Sequence, residues 1–115
     1  MIPPYAIACA VTVAIECPIV AAVFPGQRLR MAAVCAVATA ATNLFMNLLL
    51  RRWLGAGLTH LLVGELSALV LEALAYVIFC RPREVGRALV ASALANGASF
   101  SAGFLVWPMV RLFLR

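Results

Sequence analysis

Three of the chain's four acidic residues, Glu16, Glu65 and Glu72, stand inside long apolar runs. An ionisable group near the centre of a bilayer costs several kcal/mol on insertion scales, and it normally faces a bundle interior or a water-filled cavity. A carboxyl held there can take up and release a proton, or hold a cation or a cationic substrate. A low dielectric favours the neutral acid, so some of the three are expected to be protonated and to donate to asparagine or backbone. The bland alternative is structural: neutral Glu and Asn bond across helices and fix their register.

Helical spacing shows which side chains share a face, because residues three, four or seven apart line up. Cys9, Thr12 and Glu16 form one stripe. Thr39, Asn43 and Asn47 form a second, Glu65 and Glu72 with Ala68 between them a third, and Ser92, Asn96, Ser99 and Gly103 a fourth. Each stripe is small or polar on an otherwise Leu/Val/Ala/Phe surface. Small residues let helices approach closely, and the simplest bundle turns all four stripes inward. Glu16 and Glu72 are then the exchangeable carboxylates and Glu65 lies on the access route. Asn43, Asn47 and Asn96 are the orienting partners.

Depth follows from a rise of 1.5 Å per residue. Glu16, Glu72 and Asn96 are each about eight residues, roughly 12 Å, from one end of their helices. Asn43 is slightly deeper, and Asn47 and Glu65 are nearer the other end. The groups make a ladder rather than a ring.

Other reactive residues say less. Pro18 cannot bond the carbonyl of Ala14, so the first helix is expected to kink there, leaving either a carbonyl beside Glu16 for a cation or a kink that a neighbour satisfies. Cys9, Cys17, Cys35 and Cys80 contain no CxxC motif, and no metal site is expected from them. They read as small apolar residues, with Cys17 beside Glu16 the one position that would serve a soft-metal carrier. His60 is expected to anchor at an interface, the sharper reading being proton access. No catalytic triad, Gly-rich phosphate loop or metalloprotease motif is present, so no enzyme and no cofactor are expected.

The elements that must carry these residues are membrane helices. The 115 residues are 66% hydrophobic and 11% charged, with nine Arg, no Lys, four Glu and no Asp. Mean hydropathy is +1.09. A soluble domain is about half apolar and a quarter charged, so a soluble globular domain, a disordered chain and a nucleic-acid-binding module are all excluded. A span needs about 20 apolar residues. Four stretches qualify, at about 3–24, 31–50, 58–80 and 88–107, with 109–115 as an interfacial tail. The expected fold is an all-α integral membrane four-helix bundle in a single transmembrane domain, with short loops that make neighbouring helices antiparallel. Continuous apolar runs exclude a β-barrel. The first stretch lacks a basic n-region and carries Glu16, so it is expected to stay as a span rather than be cleaved as a signal peptide.

Charge orients the bundle weakly. The first and third loops carry Arg28, Arg30, Arg81, Arg83 and Arg87; the other side carries Arg51, Arg52, Arg111 and Arg115. The positive-inside rule leans towards cytoplasmic loops and extracytoplasmic termini, in a bacterial inner (plasma) membrane. Insertion in both orientations fits the same slight bias. Tyr5, Trp53 and Trp107 fall on the termini side, as an aromatic belt would.

The two halves resemble each other. Ala14-Ile15-Glu16 precedes a basic loop and Val37–Asn43; Val70-Leu71-Glu72 precedes a basic loop and Val90–Asn96. The offset is 56 residues at Glu and 53 at Asn. Two Ala-rich halves can match by chance. A true repeat would be two tandem helical hairpins related by a pseudo-two-fold axis along the membrane normal, with Glu16 and Glu72 facing across it.

In size, four spans and an early carboxylate at Glu16, the chain resembles the small multidrug resistance transporters. That resemblance implies drug efflux coupled to protons through Glu16, in an antiparallel dimer. The Gly- and aromatic-rich pattern of that family's middle helices is absent, Trp and Tyr are missing around the site, and Glu65 and Glu72 have no counterpart there. The likeness is one of plan, and plan does not fix function.

The function expected from these residues is a proton- or cation-linked transporter of a small solute, homo-oligomeric in the lipid bilayer. The alternative is a non-catalytic accessory or assembly subunit of a larger membrane complex, whose polar stripes would face a partner. No nucleic-acid partner is expected.

Overall fold

Backbone chemistry at the ends sets the first helix. Pro3 is extended (φ −62°, ψ 144°) and Pro4 opens helix α1, Pro4–Val23, where a missing N–H costs nothing. At the other end Phe24 leaves the α region (φ −116°, ψ 69°) because Pro25 follows it. The structure is a computed structural model that describes residues 2–55 and 57–113. Arg115 and the side chain of Trp107 lie outside the described residues.

After a 3₁₀ turn, Pro25–Gln27, helix α2 begins at Arg28. It is α-helical over Arg28–Leu44, π-helical over Phe45–Leu50, and α-helical again over Arg51–Leu54. Arg51 and Arg52, expected in a break, therefore lie inside the helix. The wider turn fills the register between Leu44 and Arg51 without ending the helix. The chain reverses at Gly55, whose φ of +73° suits glycine alone.

Helix α3 is Leu58–Phe79 and helix α4 is Val85–Phe113. α4 continues through Pro108, so residues 109–113 extend the last helix rather than forming a separate segment of backbone. No strand occurs among the described residues, and four helices are long and apolar enough to cross a membrane.

α1 packs on α2, α2 on α3, α3 on α4, and α4 back on α1. This closed ring sets α1 diagonally opposite α3, and α2 opposite α4. Large apolar side chains such as Val37, Leu66, Leu94 and Leu105 point outward. The buried positions repeat between the pairs. In the first pair they include Glu16, Val20 and Phe24, then Cys35, Thr39 and Thr42. In the second they include Glu72, Tyr76 and Cys80, then Ala88, Ser92 and Ala95. The displacement is again 56 residues in the leading helices and 53 in the following ones.

Candidate functional site

Glu16 and Glu72 come from the diagonal pair α1 and α3, and each is 1% exposed. Thr39, on α2 between them, bridges the two. Its hydroxyl oxygen is 2.8 Å from Glu16 Oε2 and 2.6 Å from Glu72 Oε1. A hydroxyl has one hydrogen. Thr39 can donate to one carboxyl, and the other contact is a hydrogen bond only if that carboxyl brings its own proton. At least one of the two acids is therefore neutral in this geometry, and the pair carries at most one negative charge.

Their other oxygens differ. Ser99 donates to Glu16 Oε1 at 2.7 Å, so both oxygens of Glu16 are partnered. Glu72 Oε2 is buried with no hydrogen-bond partner among the described residues. The arrangement that satisfies most groups has Thr39 and Ser99 donating to an ionised Glu16, and a neutral Glu72 donating to Thr39. An orphaned oxygen costs less on a neutral acid than on a charged one.

The asparagines donate to backbone. Asn43 Nδ2 donates to Thr39 O at 2.9 Å, Asn47 Nδ2 to Asn43 O at 2.8 Å, and Asn96 Nδ2 to Ser92 O at 2.9 Å. The Asn47 bond falls where the π stretch shifts the helix ladder. There the Arg51 N–H reaches Met46 O, five residues back, and His60 Nε2 lies 2.7 Å from the same oxygen. His60 thus pins the widened turn to α3. Gly64 is buried against Met46, and any Cβ there would collide with that side chain.

Two connected cavities lead to the carboxyls. An inner chamber of about 70 Å³ is lined by Glu16, Glu72, Glu65, Asn43, Asn96 and Met46, among others. An outer vestibule of about 440 Å³ opens towards Tyr5 and Arg51 and is also lined by Asn47, Leu61 and Phe104. Thr12, Asn43, Glu65, Ser99 and Phe100 line both. The inner chamber has room for a few waters, and the vestibule is in the range of small-molecule pockets. Glu65 stands at their junction.

Beyond the chamber the bundle is shut. Val20, Phe24, Met31, Cys35, Tyr76 and Cys80 form a fully buried cluster. On its far side the loops are tied. The Arg81 N–H donates to Gln27 Oε1 at 2.8 Å, and Arg87 Nη1 donates to Val23 O at 2.7 Å. Arg87 also pairs with Glu84 at 2.7 Å. The six named site residues thus lie along one path that is open at the termini end and closed at the loop end.

Pro18 and Ala14 are on the exposed outer face, so the carbonyl that Pro18 leaves unbonded turns away from the chamber. The Cys17 thiol donates to Ala32 O at 3.5 Å. Among the described residues no group of three His, Cys, Asp or Glu is placed to hold a metal ion.

Helical spacing already marked Thr39 and Ser99 as members of polar stripes, but not as the bridge and the second donor. Tyr76 carried no signal, because a tyrosine in an apolar run reads as packing. Tyrosine is nevertheless near the carboxyls, one turn along from Glu72. No family model, curated protein or solved structure matches the chain.

Proposed function

We propose that the chain is a multi-pass membrane protein that moves a small solute in exchange for protons or another cation. The observation that carries this reading is the Thr39 hydroxyl held between two buried carboxyls at the end of a cleft open to one side. That geometry requires a proton in the site. The same site with one charge can hold either a proton or a single positive charge from elsewhere.

The one-sided cleft supports a transport cycle, because carrying requires access to alternate between faces. Exchange would proceed through the vestibule past Glu65, and closing the vestibule while opening the loop face would release the proton opposite. The polar stripes face each other across the bundle interior, which favours transport over an accessory subunit that shows them to a partner. The repeated burial pattern supports two tandem hairpins about an axis passing between Glu16 and Glu72, with Thr39 and Ser92 as counterparts on the following helices. We place the protein in a bacterial inner membrane as a homo-oligomer, its loops cytoplasmic and its termini and vestibule outside, following the slight arginine excess of the loops.

Proteoliposomes test the proposal. Dissipation of an imposed proton gradient by purified protein is expected, and it should fall by at least about 100-fold in Glu16→Gln and in Glu72→Gln. Flux unchanged in both variants would refute it.

A further inference from the structure

We infer that Tyr76 is the second partner of Glu72: the carboxyl turns from Thr39 to the Tyr76 hydroxyl and so hands its proton towards the closed face. The inference rests on the proton-linked reading above, and it adds a residue and a direction to it.

Two buried side-chain atoms have no hydrogen-bond partner among the described residues, Glu72 Oε2 and the Tyr76 hydroxyl oxygen. Both residues are essentially unexposed. They are one turn apart on α3, at the i, i+4 spacing that makes helix neighbours. A helical side chain leans back towards the N-terminus of its helix, so the Tyr76 ring lies over the turn that carries Glu72. An unpaired buried polar group costs about 1–3 kcal/mol. A rotation that brings the Glu72 carboxyl to the Tyr76 hydroxyl relieves both, since one can donate and the other accept.

Glu72 is also the acid that is free to move. Glu16 is held at both oxygens by Ser99 and Thr39, whereas Glu72 is held at one. The hairpin equivalence isolates the same feature. The residue four after Glu16 is Val20, an apolar side chain, and the residue four after Glu72 is Tyr76. Only one of the two acids has a hydroxyl on its closed side.

Position supplies the direction. Glu72 lines the inner chamber and Tyr76 does not; Tyr76 belongs to the apolar cluster that shuts the bundle. The hydroxyl is thus a polar group on the closed side of the chamber. The transfer is a simple relay. Neutral Glu72 gives its hydrogen to the tyrosine oxygen, and the tyrosine hydrogen passes to a water admitted when the loop face opens. Glu72 is left ionised, the water becomes hydronium, and Tyr76 ends neutral as it began. Cys35, which approaches the Thr39 hydroxyl at 3.7 Å, packs in the same cluster.

Tyr76→Phe removes one oxygen and keeps the ring. If the hydroxyl only packs, its loss relieves an orphan and leaves proton flux as it was. If it receives the proton, flux in proteoliposomes falls by about tenfold or more while the melting temperature stays level or rises. Infrared spectroscopy of the detergent-purified protein gives a readout independent of transport. The carboxyl C=O stretch of Glu72, assigned by its loss in Glu72→Gln, should carry a second, lower-frequency component from molecules whose carboxyl has turned to Tyr76, and that component should vanish in Tyr76→Phe. A band of the same shape in wild type and Tyr76→Phe overturns the inference, as does undiminished flux in that variant. If wild-type liposomes pass no protons, the transport proposal falls and the infrared band alone decides the pair.

Discussion

Thr39 has the largest share of the site's chemistry relative to its size. One hydroxyl sets the charge of two carboxyls, because its single hydrogen leaves the second contact to a proton from elsewhere. Thr39→Val keeps the shape and removes the bridge. It strands two buried carboxyl oxygens at a cost of about 1–3 kcal/mol each. The melting temperature in detergent should fall and proton flux should be lost, whereas Thr39→Ser should retain both. Ser99→Ala should be milder, because Glu16 then keeps Thr39 as a donor; an equal or larger effect than that of Thr39→Val would contradict the assignment. The spacing of Thr39 and Ser99 put them on the right faces. It could not show that they reach carboxyls on other helices, because spacing within a helix says nothing of its rotation against a neighbour.

At the scale of elements, the π-helical stretch of α2 stands out. A widened turn leaves the helix ladder shifted, and such turns often mark functional sites. Here side chains support it: Asn47 takes the carbonyl of Asn43, and His60 reaches the carbonyl of Met46 from α3. His60→Ala removes a bond worth about 1 kcal/mol, and the loss should appear as a lower melting temperature measured by circular dichroism. An unchanged value would mean that the turn does not depend on His60. Gly64→Ala tests the other side of the same contact. The added methyl meets Met46, which also lines the inner chamber. Met46 should be displaced into that space and slow proton exchange without any change to a carboxyl.

For the molecule as a whole, the question is which end is shut. The closed end combines an apolar cluster with two bonds, Arg81 N–H to Gln27 between the first and third loops and Arg87 to Val23 O between the start of α4 and the end of α1. Surface bonds of this kind are modest, so they can break in a working cycle. Removing both with Gln27→Ala and Arg87→Ala should raise the population of loop-open molecules. Cys35 and Cys80, both fully buried in that cluster, report it. In a background of Cys9→Ser and Cys17→Ser, their maleimide labelling should speed up by about tenfold. An unchanged rate would show that the apolar cluster alone holds that end.

Composition by itself determined the helical class and the number of long apolar segments, because a span must be continuous and apolar whatever it packs against. Three-, four- and seven-residue spacing likewise determined that each helix has one polar stripe. The extent of α2 and α4 was not legible. Arg51 and Arg52 look like a break, and Pro108 looks like an end, yet backbone bonding carries both helices past them. Only the tertiary structure decided that Thr39 joins Glu16 to Glu72, that Ser99 holds one acid while a free oxygen of the other has no partner among the described residues, and that the Tyr76 hydroxyl is buried without one as well. These facts depend on how four helices rotate and shift against one another. That choice is made by close packing and hydrogen bonds across residues as distant as Glu16 and Ser99, and no single segment contains it.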